Sequence, residues 1–399
     1  MILKGNVGML VHGYYLKDVR VRREAEALVE AGYKLEIFCL REPKQQGTQR
    51  EPYNYKVNNV HIHRLPITRK RGKKFRYLYE YMGLIILGTW KLTLLHFKNR
   101  FQVIHIHNMP DLLVLAGIIP RLMGAKLLLD IHDPMPELYI SKHHVDQNCL
   151  IVKALKLQEK FSCLLADHVI SVNESMRERL ESNGIPSKKI SILHNFPDTR
   201  YLPIKKDITH WPRHRDGLTL LYAGTVTEHY RLDIIINSLV LVSKRIPQIK
   251  FRIIGDGNDL NRIIKLANNL GIIDYIKHES PVNIDDLRYI MEETDVGISC
   301  HTGDVYGDLQ FSCKILDYLT QGMPVISSRT KTLKRYIPEE AIFYFEPDNT
   351  EDLAKQIIQI WNRSDLVKRK MSNVKKIFPQ YTWQKEKYKL INLYQELLK

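Results

Sequence analysis

Phe311-Ser312-Cys313-Lys314-Ile315-Leu316-Asp317-Tyr318-Leu319-Thr320-Gln321-Gly322-Met323-Pro324-Val325-Ile326-Ser327-Ser328 compresses a helix start, a helix stop and a buried strand into one run. Ser312 is an N-cap residue type, and its hydroxyl is expected to accept from the backbone N–H of Lys314 or Ile315. Gly322 supplies the left-handed residue that ends the helix, which is therefore expected from about Cys313 to Gln321. An open helix N-terminus offers unpaired N–H groups and partial positive charge, so it can hold an anion such as a diphosphate, with Lys314 as counter-charge in the first turn. Asp317 lies one turn later on the face of Lys314. Amides and a cation for phosphate, beside a carboxylate for sugar hydroxyls, suit a nucleotide-sugar. The same pattern also describes a capped helix with an i,i+3 charge pair in front of a core strand, so the rest of the chain has to decide.

Outward from this run, short apolar stretches alternate with helical patterns. Val7–Val11, Leu35–Leu40, Val60–Arg64, Val103–His107, Lys126–Ile131, His168–Val172 and Ile190–His194 read as strands, with helices such as Arg22–Ala31 and Asp111–Met123 between them. The pattern loosens after Asn195, where prolines, charges and Trp211 replace periodicity. It resumes with Leu218–Tyr222, Lys250–Ile254, Ile276–His278, Val296–Ser299, Pro324–Ser327 and Ala341–Phe345, and closes on helical patterns over Thr350–Arg363 and Gln384–Leu398. Strand and helix in alternation mean a parallel sheet covered on both faces. The expected fold class is α/β, with two doubly wound Rossmann-like domains facing across a cleft. The expected divisions are a first domain over 1–200, a linker over 201–217, a second domain over 218–380 and a C-terminal helix over 381–399 that packs back towards the first domain.

The 399 residues carry 60 Lys and Arg against 44 Asp and Glu, a formal net charge of +16. Part of the excess sits in Arg69-Lys70-Arg71-Gly72-Lys73-Lys74-Phe75-Arg76, a run that attracts polyanions. Tyr77–Phe97 follows it directly, apolar but interrupted by Glu80 and Lys91. That segment is marginal as a membrane span and fits a basic, aromatic-rich helix lying on an anionic bilayer, or a solvated loop followed by a domain helix. Nucleic acid is not an expected partner, because no DNA- or RNA-reading motif accompanies the charge. Met1–Leu40 reads as strand, loop, helix and strand without a secretory signal, and the five scattered cysteines lack CxxC spacing. A cytoplasmic setting is expected, peripheral at the inner face of the plasma membrane if the basic run binds lipid.

Two further turns bear on the site. Tyr222-Ala223-Gly224-Thr225 runs from a strand into a small-residue turn, where Gly224 lets the backbone approach a ligand and Arg231 can pair with phosphate through its planar fork. Gly255-Asp256-Gly257 ends the next strand in a similar turn. Each turn alone is common in α/β proteins; the three segments in this order are a stronger signal. With Ala166-Asp167-His168-Val169-Ile170-Ser171-Val172, they make the whole chain resemble the retaining glycosyltransferases of family 4, which have the GT-B fold. The opening Arg20-Val21-Arg22-Arg23-Glu24-Ala25 and Asp130-Ile131-His132-Asp133-Pro134-Met135-Pro136-Glu137 are similar to members that act in bacterial cell-surface polysaccharide biosynthesis.

The resemblance implies that the first domain is the acceptor-side domain and the second the nucleotide-sugar domain. It implies a nucleotide-sugar donor, UDP-sugar in preference to GDP-sugar, with its diphosphate near Gly224, Arg231, Lys314 and the helix start at Ser312 and Cys313. It also implies that Asp317 meets the ribose and that His278, Glu279 and Ser280 lie by the base, with Thr225, Gly255 and Gly257 lining the donor. It places His132 at the active site, near donor sugar and acceptor, and it implies a glycan or polyprenyl-linked acceptor. Asp133 and Glu137 are candidates to hold acceptor hydroxyls. His107, which shares a sheet face with His105 and ends its strand, is a cleft candidate, and His12, Asp18 and Arg20 are candidate acceptor contacts on the first loop. No cofactor and no metal are expected: Asp-x-Asp is absent, and Asp285-Asp286 reads as the acidic first turn of a helix. The chain departs from the family pattern at Leu309, where the first acid of the Glu-x7-Glu pair would fall, and at Thr225, where many members carry a phosphate-binding arginine. A nucleotide-sugar 2-epimerase of the same architecture, and a non-catalytic sugar-binding partner of another transferase, remain open alternatives.

Overall fold

The structure, a computed structural model, describes residues 4–42, 51–67, 74–204 and 217–399. It divides into two compact units, Met1–Ile140 with Val145–Asn195 and Glu386–Lys399, and Ser141–His144 with Phe196–Lys385. Phe196 opens the second unit because its ring packs edge-on to Phe311 and Tyr381 in that unit's core. Most of the expected linker, residues 205–216, lies outside the described residues, as does most of the basic run at Arg69–Arg76.

The first unit is built on an eight-stranded sheet. Its strands are β1 (Gly5–Val11), β2 (Tyr33–Leu40), β3 (Asn54–Val57), β4 (Val60–Leu65), β5 (Val103–His107), β6 (Lys126–Ile131), β7 (His168–Ser171) and β8 (Ile190–Ile192). The order is β3-β4-β2-β1-β5-β6-β7-β8, and every pairing is parallel except β3 with β4. Strands such as Val103-Ile104-His105-Ile106-His107 are buried at every position, as a sheet covered on both faces requires. The antiparallel β3 escapes an apolar-run reading because Asn54-Tyr55-Lys56-Val57 is half exposed. Its turn signal is Asn58-Asn59, where both residues take positive φ, as a tight hairpin demands.

The second unit holds β9 (Leu218–Ala223), β10 (Ile249–Ile254), β11 (Ile276–Glu279), β12 (Val296–Ser299), β13 (Val325–Ser328) and β14 (Phe343–Phe345) in the order β11-β10-β9-β12-β13-β14, all parallel. Counted within the unit, this is the doubly wound order 3-2-1-4-5-6, whose reversal between β9 and β12 opens a crevice at the strand C-termini. The parallel strands of the first unit reverse in the same way between β1 and β5.

Helix expectations need some correction. Asp111–Met123 is not one helix: a 3-10 stretch over Asp111–Gly117 gives way to a short α-helix, Ile118–Leu122, because Pro120 has no N–H to continue an earlier ladder. Tyr77–Phe97 lies within a longer helix, Lys74–Asn99, and Ser364–Ile377 adds a helix that the sequence reading passed over. Among the described residues no helix is long and apolar enough to cross a membrane.

The ends of β9 and β10 are locked together by glycine. Gly224 donates to the Ile254 carbonyl, Gly255 to that of Glu279 and Val226 to that of Asp256, at 2.9–3.0 Å. Gly255 sits at φ +150°, and a Cβ there would lie 1.9 Å from the Gly224 carbonyl oxygen. Gly255→Ala is therefore expected to destabilise the protein by more than about 1 kcal/mol, since φ and space both exclude the methyl group. A urea denaturation midpoint equal to that of the wild type would contradict the tight crossing.

Candidate functional site

At the C-terminal ends of β9 and β12, the helix Cys313–Thr320 starts with its N-terminus towards the β9 turn. Gly322 ends it at φ +66°, with Gly322 and Met323 donating back to Leu319 and Tyr318. The helix is fixed across the sheet by Tyr318, whose hydroxyl accepts from the Ala223 N–H at 2.9 Å and whose ring lies where any side chain on Gly297 would go. Lys314 consequently reaches the β9 turn. Its Cε lies 2.3 Å from where a Cβ on Gly224 would stand, so Gly224, at φ +151°, is glycine for two independent reasons.

The Lys314 ammonium sits 3.9 Å from the ring centroid of Tyr230 and 5.2 Å from that of Tyr222. His229, His301 and Tyr306 complete an aromatic layer: Tyr230 packs on His229 and His301, and His229 on Tyr306. Burial lowers Lys314 to about 8, and burial together with the neighbouring Lys314 lowers His301 to about 3. A lysine held this way is surrounded by ring faces, and the charge of a phosphate would restore its ordinary basicity. Sequence reasoning missed Tyr230, His301 and Tyr306; His301, just past the end of β12, had the positional signal of a strand terminus.

Several expected donor residues take other parts. The Ser312 hydroxyl does not cap the helix; it accepts from Ser299 Oγ at 3.3 Å. Arg231 takes a left-handed conformation, φ +43°, and its guanidinium is bonded to Asp233 and Asp348, so its fork is already shared between carboxylates. His278 Nε2 bonds the Gly255 carbonyl at 2.8 Å, and the Glu279 carboxylate is held by Arg252 at 2.9–3.0 Å, while Ser280 is exposed. Thr225 is exposed and uses its carbonyl to accept from Tyr222 at 2.6 Å. Asp317 is half-buried in the helix. Gly257 approaches Val226 as closely as Gly255 approaches Gly224. Next to Leu309, Asp308 accepts from the Lys331 N–H at 3.1 Å and pairs with the Lys331 ammonium at 3.0 Å. Asp285 and Asp286 do form the acidic first turn of a helix, Ile284–Glu292, capped by Asn283.

In the first unit, helix Val19–Glu30 together with β5 and β6 carries a buried polar network that the sequence reading treated as solvent-facing. His107 and Asp130 are register partners, and His105 and His107 stack at 4.2 Å on one face. Arg20 donates to Asp130 Oδ1 at 2.6 Å and to Glu24 at 3.1 Å. His132, whose side chain is 18% exposed, is the part of this network that reaches the surface, with Nε2 3.2 Å from Asp130 Oδ2. Glu24, His105, His107 and Asp130 are metal-ligand types whose candidate atoms all lie within 4.8 Å of one another, yet the Arg20 guanidinium already bonds both carboxylates.

Two of the expected acceptor contacts, His107 and Arg20, are members of this network, and three more, Asp18, Glu137 and His12, have other partners within the unit. His107 is fully buried, and Arg20 lies inside the unit as counter-charge to Asp130. Asp18 accepts from the Val21 N–H at 3.1 Å as the N-cap of helix Val19–Glu30. Glu137 is buried against Arg179 at 2.6 Å. The His12 ring is turned inward onto Glu80 at 2.7 Å, which explains the acidic residue inside the apolar Tyr77–Phe97 segment. Asp133 is half-buried next to His132, and its carbonyl accepts from Asn108 at 3.0 Å.

The chain is similar along its length to proteins of one fold. Residues 18–201 match the family described as Glycosyltransferase Family 4, and residues 204–377 match that described as Glycosyl transferases group 1. Sucrose-phosphate synthase from Thermosynechococcus elongatus superposes with a TM-score of 0.77 at 17% identity, covering 99% of each chain. HepE from Anabaena, solved in complex with UDP-glucose, gives 0.72 at 12% identity over 98% of this chain and 100% of its own. TarM from S. aureus, solved as a G117R mutant with fondaparinux, alpha-GlcNAc-glycerol and UDP, gives 0.67 at 12% identity over 99% of each chain. No curated protein sequence gives a match. Two doubly wound units, each accounted for by a glycosyltransferase family, identify the chain as a family 4-like glycosyltransferase of the GT-B fold.

Proposed function

We propose that this glycosyltransferase moves a sugar from a nucleotide-sugar, with UDP favoured as the nucleotide, to a glycan or polyprenyl-linked acceptor in cell-surface polysaccharide assembly, retaining anomeric configuration and using no metal ion. The observation that carries the donor side is Lys314, held against two tyrosine rings at the start of its helix, at the strand-order reversal of the second unit. In the proposed step the bond from the anomeric carbon to the diphosphate oxygen breaks and a bond to the acceptor oxygen forms on the same face. The acceptor proton passes to the departing diphosphate. The Lys314 ammonium and the Cys313 and Lys314 amides stabilise the negative charge that develops on that oxygen. Arg231 acts in this scheme by sharing its fork between Asp233 and a phosphate oxygen. Asp317 takes the ribose hydroxyls, and His132 and Asp133 are proposed contacts for sugar hydroxyls. HepE, solved with UDP-glucose, and TarM, solved with UDP and saccharides, support the choice of donor and acceptor class.

We further place the enzyme at an anionic membrane surface on the cytoplasmic side. Helix Lys74–Asn99 turns Ile86, Trp90, Leu94 and Phe97 to solvent at three- and four-residue spacing, and helix Leu150–Leu165 does the same with Leu157, Phe161 and Leu164. The acids on these helices are Glu80 and Glu159, both buried, in pairs with His12 and Arg179. The exposed faces therefore present apolar side chains among lysines, and the basic run Arg69–Arg76 leads in sequence into the start of the first helix. That combination favours an interface lined with anionic headgroups.

Isothermal titration with UDP and UDP-sugars tests the donor site. Burial lowers Lys314 below the ordinary lysine value to about 8, so the ammonium is present below that pH and is lost above it. Affinity is expected to fall by about tenfold between pH 7 and pH 9, since one pKa unit between free and bound states corresponds to a tenfold change. Lys314→Arg should remove this dependence and Lys314→Ala should weaken binding at both pH values. Binding that ignores both pH and Lys314, or no binding of any nucleotide-sugar, would overturn the assignment. For the membrane surface, Trp90→Glu with Phe97→Glu is expected to reduce binding to phosphatidylglycerol vesicles while leaving nucleotide affinity unchanged. Vesicle binding that survives both this pair and neutralisation of Arg69–Arg76 would remove the membrane from the account.

A further inference from the structure

Asp130 is fully buried at the end of β6, yet it accepts from three directions. Oδ1 takes the Arg20 guanidinium at 2.6 Å, while Oδ2 lies 3.4 Å from His107 Nδ1 and 3.2 Å from His132 Nε2. His107 Nδ1 and His132 Nε2 also approach each other to 3.2 Å, where one N–H can donate to the other's lone pair. An ionised Asp130 can only accept, and it is this carboxylate facing His132 Nε2 at 3.2 Å that favours the proton on that nitrogen. The arrangement continues inward: His107 stacks on His105, and His105 Nδ1 bonds the Tyr394 hydroxyl at 2.9 Å. Burial by itself would favour a neutral Asp130, but Arg20 and the imidazoles outweigh it and hold the carboxyl well below its usual range. Burial and the neighbouring Asp130 push Glu24 the other way, upward. His105, desolvated and beside His107, stays neutral.

The outward end of the arrangement is His132. Its backbone N–H is fixed at 2.7 Å by Asn108 Oδ1, and Asn108 is itself held by Asp111 at 2.9 Å and by the Asp133 carbonyl. Main chain and one ring nitrogen are thus both tied down, while the side chain keeps 18% exposure. We propose that Asp130 is a positioning residue that locks His132 as the Nε2–H tautomer, so that Nδ1 presents a lone pair to a substrate hydroxyl. A ring nitrogen's role is set by what its partner nitrogen bonds, and a buried carboxylate facing one nitrogen makes the other the acceptor. Arg20 supports this at one remove, by keeping Asp130 ionised and therefore unable to donate. On this account Arg20 and Asp130, separated by 110 positions in the sequence, matter to transfer without touching substrate. The inference rests on the proposed contact of His132 with a sugar hydroxyl, but its structural content can be read without any substrate.

The test is two-armed. In 15N-histidine-labelled wild-type protein above pH 8, long-range proton–nitrogen correlation separates the two neutral tautomers, and His132→Gln assigns the signals. The expected pattern is Nε2-protonated for His132. An Nδ1-protonated ring, or a mixture like that of free histidine, overturns the proposal whether or not transfer has been observed. In the second arm, Asp130→Asn is expected to shift His132 towards the other tautomer and to lower kcat at least tenfold, with KM for the donor changed less than twofold. In a hydrolytic triad the corresponding change spoils the tautomer while preserving geometry. Unchanged kcat in a folded Asp130→Asn protein overturns the proposal, and if that variant does not fold, the wild-type spectrum decides. Loss of donor binding to Lys314 with the expected tautomer intact would instead count against the donor reading alone.

Discussion

An ammonium held against two tyrosine rings is the constraint around which the second unit is arranged. Lys314 can reach that position only because Gly224 has no side chain, because Tyr318 pins the helix across β9 and β12, and because Gly255 lets the β10 turn close over the β9 turn. The ring faces supply part of the solvation that water would otherwise give, and burial lowers the basicity of the ammonium. A site of this kind is poised for an anion: binding a diphosphate removes the desolvation cost of the cation, so attraction and relief act together. The same charge then stabilises the leaving group as it gains negative charge, where preorganised electrostatics lowers a barrier most effectively.

The first unit solves a different electrostatic problem. Two buried carboxylates, Asp130 and Glu24, meet two buried imidazoles and one guanidinium between helix Val19–Glu30 and the paired strands β5 and β6. Removing any one charged member would leave another uncompensated inside the protein, a loss commonly of about 3–5 kcal/mol. Such a network fixes geometry, and the part of it that meets solvent is the histidine.

Much of the architecture was legible because parallel strands buried on both faces read as short apolar runs, and Gly322 and the Gly255 turn mark where the chain must bend. What escaped was set by tertiary context. Asn54–Val57 is polar because it lies in an edge hairpin, and Pro120 divides a stretch whose hydrophobic spacing suits one helix. Arg20, His107 and Glu137 were read as ligand-facing because charged residues are seldom buried without partners. Their partners, Asp130, His132 and Arg179, lie too far along the chain for any local pattern to reveal them. Ser312 shows the same limit on a small scale: its residue type fits a cap, but the buried hydroxyl of Ser299 competes for it. The proposed donor site was thus read in sequence from its glycines and its lysine, whereas the aromatic layer around Lys314 required the fold.

The measurement that bears most directly on this account is a crystal structure of the protein with its nucleotide-sugar bound. The account predicts diphosphate oxygens within hydrogen-bonding distance of the Lys314 ammonium and of the Cys313 and Lys314 amides, with the Tyr222 and Tyr230 rings still against the lysine stem. A diphosphate bound elsewhere, with Lys314 left between its tyrosines and no phosphate at the helix start, would contradict it.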